Sequence, residues 1–146
     1  MKLSAKILGL ENVQKALLRL DPVGSEIMST GLKQAAIMVH EEAVKSIRRR
    51  SAGRVYHRGR ITHVASKPGD PPNVDTGELI SGVTWEPQNG KALAVFVGTN
   101  VKHGVYMEFG TKDVAPRPWL LPALRKHQDK ISKLFTSKAL RKALKG

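Results

Sequence analysis

Met28, Leu32, Ala35, Ala36, Val39, Ala43 and Ile47 recur at intervals of three and four, the spacing that lines apolar side chains along one face of an α-helix. No other feature limits the fold so strongly. An apolar stripe along roughly 20 residues must be covered by a second layer of structure. Lys33, Gln34, Glu41 and Lys45 lie mainly off the stripe. The helix is expected to fray into Arg48, Arg49 and Arg50 and to stop by Gly53.

The covering layer is read from segments of period two. Leu79, Ser81, Val83 and Trp85 share one parity, and Ile80, Gly82 and Thr84 the other, which predicts a strand over 79–85. Pro87-Gln88-Asn89-Gly90 is a turn, and Lys91 to Gly98 alternates again, so the two runs pair as an antiparallel hairpin. Val105, Met107 and Phe109 alternate with Tyr106 and Glu108, predicting a third strand that Gly110-Thr111 stops. Residues 2–8 alternate loosely and read as a short strand that adds to a sheet edge. Glu11 to Leu20 reads as a short helix ended by Asp21-Pro22.

Near the C-terminus, Pro118 and Pro122 stand where a helix starts, because a missing N–H costs little in the first turn. Leu120, Leu124, Ile131, Leu134 and Phe135 form that helix's apolar face. The expected architecture is one α+β domain over residues 1–146. An antiparallel three- to four-stranded sheet packs against the long central helix and the C-terminal helix, with a long basic loop between. A chain of 146 residues can bury such a core in one domain.

The loop is residues 48–75, a stretch without clear period that carries Gly53, Gly59, Gly69, Pro68, Pro71 and Pro72. It is read as long and flexible. Val55-Tyr56 and Ile61 to Val64 are able to pair as a small hairpin around Arg58-Gly59. The chain holds 25 Lys and Arg against 12 Asp and Glu, a formal charge of +13. Between Glu42 and Asp70 there is no acid. Such a block seeks an anionic partner, so Arg48, Arg49, Arg50, Arg54, Tyr56, Arg58, Arg60 and Lys67 are the candidate interaction residues. Residues 136–146 form a second basic segment, a tail. With aromatics at 5% the chain is poor in stacking platforms for single strands. Backbone contact with duplex DNA, or contact with an acidic protein ring, suits it better.

Chemistry is harder to find. Cysteine is absent, which excludes disulfides, thiolate metal sites and a thiol nucleophile. No apolar run approaches the ~18 residues of a membrane span, and the apolar run at the N-terminus is too short for a secretory signal. His40-Glu41-Glu42 is half of a helical zinc motif, with no second histidine at the required spacing. His57, His63 and His103 lack ligand spacing. Gly98-Thr99 and Gly110-Thr111 follow expected strands without the lysine of a phosphate loop. No enzyme, metal or cofactor is expected.

Two ordered segments carry a resemblance. Ser66 to Trp85, SKPGDPPNVDTGELISGVTW, and Gly104 to Leu124, GVYMEFGTKDVAPRPWLLPAL, resemble in content and order the small tail-component family of long-tailed bacteriophages. Members of that family complete the tail or neck and help join the filled head to the tail. The resemblance covers about a third of the chain and marks Gly77, Leu79, Glu108, Phe109, Gly110, Thr111, Pro118, Trp119 and Pro122 as motif positions. It implies that Glu108 hydrogen-bonds a neighbouring backbone or an arginine such as Arg117. It further implies a virion protein of the neck or tail, assembled in the host cytoplasm as a homo-oligomeric ring, with six-fold symmetry matching the tail tube. Tail-tube, terminator or head-connector proteins would be its partners, with non-specific contact to packaged DNA and none to membrane. The enlarged arginine-rich loop departs from the simplest family pattern. The alternative reading is a small basic nucleic-acid-binding accessory protein.

Overall fold

The apolar stripe is the centre of the molecule. In a computed structural model of the chain, which describes residues 3–8, 22–88 and 94–136, helix α1 spans Pro22–Arg48. It buries Met28, Leu32, Ala35, Ala36, Val39, Ala43 and Ile47 to 1% exposure or less. Small residues at 35, 36 and 43 keep the helix surface flat, so a sheet can approach it closely. Ser46 Oγ donates to the carbonyl of Ala43 in the last turn. Arg48 to Arg50 lie exposed beyond the stripe.

The layer that covers α1 is an antiparallel sheet of β1 (Leu3–Leu8), β4 (Val83–Pro87) and β5 (Ala94–Thr99), in the order β1-β5-β4. Ala5 and Trp85 both face Val97, and Leu3 and Val83 both face Thr99. Central strand β5 is almost wholly buried, as expected of a strand flanked on both edges and covered by a helix. Helix α4 (Leu120–Leu134) packs along α1 and contributes Leu120, Ala123 and Ile131, followed by Phe135, to the same core. The architecture is the expected α+β sheet on a long helix and a C-terminal helix.

Two assignments differ from the sequence reading. The strand expected at Val105–Phe109 is helix α3, Lys102–Phe109. Its buried residues are Gly104, Val105 and Glu108, a helical i, i+1, i+4 set, and its outward row is Lys102, Tyr106 and Phe109. Over five residues, alternation and helical spacing are hard to tell apart. Contacts of Gly104 and Glu108 with distant residues settle the choice. The strand expected over 79–85 is divided: Glu78–Gly82 form the short helix α2 and only Val83–Pro87 are strand. Thr76 Oγ1 accepts the Glu78 N–H and Ser81 Oγ donates to the Glu78 carbonyl, so local polar side chains favour the turn of helix. The sheet thus lacks the expected third meander strand, and the N-terminal strand takes a place beside β5.

The small hairpin is present. β2 (Val55–Arg58) and β3 (Ile61–Val64) pair antiparallel around a two-residue loop, Gly59-Arg60, as a sheet of their own. The expected helix at 11–20, the strand residues 91–93 and the tail from 137 lie outside the described residues.

Candidate functional site

The motif positions converge on one carboxylate. Glu108 is 3% exposed and sits where α4 begins. Its Oε2 accepts the N–H groups of Trp119 and Leu120 at 2.8 and 2.9 Å, and its Oε1 accepts that of Leu121 at 2.9 Å. A helix leaves four N–H groups unpaired at its start. Here three meet Glu108, and the fourth position is Pro122, which has none. The negative charge also faces the positive end of the helix dipole. Of the two kinds of partner expected for Glu108, a neighbouring backbone or an arginine such as Arg117, the carboxylate meets the backbone. Arg117 instead donates from Nε to the Ser66 carbonyl and from Nη1 to that of Ala115.

The neighbouring motif residues hold this arrangement. Trp119 is fully buried and its Nε1 donates to the Gly104 carbonyl at 3.1 Å. A Cβ on Gly104 would lie 2.6 Å from Thr99 Cγ2 and 2.9 Å from Leu79 Cδ1, so only glycine lets α3 approach the sheet and the first motif segment. Leu79 itself is buried and Gly77 precedes α2. Gly110 ends α3 at φ 74°, a conformation that favours glycine. Thr111 then organises the turn, its Oγ1 accepting the N–H groups of Asp113 and Val114. Pro118 and Pro122 flank the capped start of α4. Phe109 differs from the others: it is 60% exposed and the fold does not use it. Tyr106, one turn earlier, is exposed as well.

The basic candidates form an arm. Every residue of β2 is exposed, and of β3 only His63 is half-buried. At the root, Asn73 exchanges hydrogen bonds with the backbone of Ser51 and donates to the Val64 carbonyl. Ser51 Oγ donates to Asp70 and accepts the Lys67 N–H. The segment read as a flexible loop is therefore a hairpin fastened at its base. Arg54 stands over the ring of Tyr56 at 5.3 Å. Arg58 Nη1 lies 2.9 Å from Asp75 Oδ2, and His63 Nδ1 lies 3.4 Å from Asp75 Oδ1. Arg48, Arg49, Arg50, Arg60 and Lys67 are exposed and have no carboxylate partner among the described residues.

Between the arm and the body runs an open cleft of about 570 Å³, with Tyr56, Arg58 and His63 on one side and Leu79, Ile80 and Met107 on the other. Sequence reasoning missed this cleft, and no spacing could signal it, because its walls come from segments brought together only by folding. His63 with Asp75 and His103 with Glu78, 3.8 Å apart, line it as well, and the buried Ser66 Oγ has no hydrogen-bond partner among the described residues. No set of three or more histidine and acidic side chains that could hold a metal occurs among the described residues. Nor is any described helix long and apolar enough to cross a membrane.

No family model matches the chain, and no curated protein or solved structure matches it either.

Proposed function

We propose that the protein is a structural component of the neck or tail of a long-tailed bacteriophage or of a prophage, completing the tail and joining it to the head. It works by docking, as a closed ring of identical subunits, and breaks no bond. One observation carries the reading: Glu108 and Trp119, with Leu79 buried nearby and Pro118 and Pro122 at the helix start, build a single structural knot, whereas Phe109 of the same motif is left outside at 60% exposure. A motif that makes a rigid body and presents one aromatic outward suits a contact surface better than an active site. Exposed large apolar residues on a small body mark interaction sites when they cluster. Phe109 shares its exposed helix row with Tyr106.

The sheet supports the same reading. Strands β1 and β4 each have one unpaired edge among the described residues. Such edges invite pairing with another chain, and a closed ring is one means of covering them. Neighbouring rings of tail-tube, terminator or connector subunits are the further partners proposed. The test is sedimentation velocity and negative-stain electron microscopy of the purified protein, alone and with tails, beside Phe109→Asp. A ring lost in the variant, with an unchanged circular dichroism spectrum and melting temperature, is the expected result. A wild-type protein that stays monomeric at high concentration and ignores tails would overturn it.

A further inference from the structure

We propose that the β2–β3 arm binds the phosphate backbone of duplex DNA, and that Asp75 holds one of its arginines in reserve. The inference stands on the arm's shape and charge and does not depend on the assembly reading.

Charge comes first. Arg54, Arg58 and Arg60 lie on the arm, Lys67 at its root, and Arg48, Arg49 and Arg50 at the end of α1. All are exposed, and among the described residues only Arg58 has a carboxylate partner. Exposed cations concentrated in one stretch of chain repel one another unless an anionic surface lies across from them. Phosphates at regular spacing provide that surface without any demand on base sequence.

Shape favours the duplex. The two strands of four residues lie about 4.8 Å apart as a narrow ribbon. The major groove of B-form DNA is about 12 Å wide and admits a two-stranded ribbon. The arm's tip is Arg58-Gly59-Arg60, with Ile61 beside it at 65% exposure. Double-stranded RNA fits less well, since its major groove is too deep and narrow for side chains to enter. Single strands call for stacking platforms, whereas the arm's one aromatic, Tyr56, lies against Arg54 and the cleft.

Asp75 gives the proposal its distinguishing mark. Its carboxylate contacts both Arg58 and His63, occupying the guanidinium as a phosphate would. The Arg58 side chain is nonetheless 64% exposed, so exchange of Asp75 for a phosphate needs no unfolding. Removing the negative charge at 75 therefore frees a cation and strengthens binding.

The experiment is fluorescence anisotropy with a labelled duplex of about 30 base pairs, the matching single strand, and polyglutamate as competitor, over a salt series. With about four phosphates contacted, affinity for the duplex falls about 100-fold between ~50 and ~200 mM salt. Asp75→Asn binds several-fold more tightly, with a salt slope steeper by about one. Arg54→Ala/Arg60→Ala binds at least ~10-fold more weakly, with a slope shallower by about two. Adding Arg58→Ala to Asp75→Asn abolishes the gain. Circular dichroism establishes that each variant is folded. Absence of duplex binding at low salt, indifference to Arg54→Ala/Arg60→Ala, or equal competition by polyglutamate overturns the proposal, the last assigning the arm to an acidic protein. Sedimentation of the same samples reads subunit number separately: a monomer that binds DNA sinks the ring and leaves this inference standing, and a ring that ignores DNA does the reverse.

Discussion

Replacing Glu108 with alanine tests the structural core of the motif directly. Three backbone N–H groups, those of Trp119, Leu120 and Leu121, lose their acceptor. The site is buried, so water is slow to replace it. Hydrogen bonds to a charged group contribute about 1.5–3 kcal/mol each. The three share one carboxylate and are not additive, and each buried N–H left without an acceptor costs about 1–3 kcal/mol. We expect Glu108→Ala to lose about 4 kcal/mol, a large part of the 5–15 kcal/mol typical of a domain. At roughly 3 °C per kcal/mol for a chain of this size, the melting temperature falls by about 12 °C. Glu108→Gln keeps one acceptor oxygen and should lose roughly half as much. Urea unfolding followed by circular dichroism measures this, with the midpoint shifted and the slope unchanged. A loss under ~1 kcal/mol for Glu108→Ala would mean that α4 finds other acceptors, and the account of the motif would be wrong.

Trp119→Ala removes a fully buried ring and the donor to the Gly104 carbonyl, and should cost about 3–5 kcal/mol in the same assay. Leu124, only partly buried against the core, should cost about 1–2 kcal/mol as alanine. Replacing residues 54–64 with a short glycine link should change stability by less than ~1 kcal/mol, because no arm residue belongs to the core, while DNA binding is lost; global unfolding would refute this. Glu42 is held below the usual carboxylate range by its hydrogen bond from Lys126, against the opposing effect of burial, with His127 adding to the shift. A depressed carboxylate stabilises the fold fully above its unfolded value, about 4.3, and the contribution disappears as pH falls through the lower folded value. The urea midpoint of wild type should therefore exceed that of Glu42→Gln at neutral pH and approach it in acid; a gap that persists unchanged in acid argues against the pairing.

The long helix and the β4–β5 pairing were readable from local pattern alone, and the arm only in part: its two strands were seen as able to pair, but within a segment read as a flexible loop. Stripe spacing over several turns allows no second interpretation, whereas the hairpin expected around Arg58-Gly59 turns one residue later, at Gly59-Arg60, and its fastening by Asn73 to Ser51 and Val64 shows only in the fold. Glu108 was legible as a structural acid but its partners were not, because the N–H groups it caps stand at the start of a helix that begins twelve positions later. The cleft and the Asp75 clasp left no trace in the sequence, since Asp75 meets Arg58 across seventeen positions of irregular chain.

Periodicity over a long segment decides helix identity and which face is buried, because the free energy of covering a continuous apolar stripe exceeds any local preference. That much was set by residue order for α1 and for the C-terminal helix. Short segments have no such surplus. Residues 105–109 satisfy both a strand and a helix pattern, and only tertiary contacts chose between them: Gly104 against Leu79 and Thr99, and Glu108 at the start of α4. Burying a carboxylate demands that its oxygens find donors, and a helix here is what brings Glu108 to three of them.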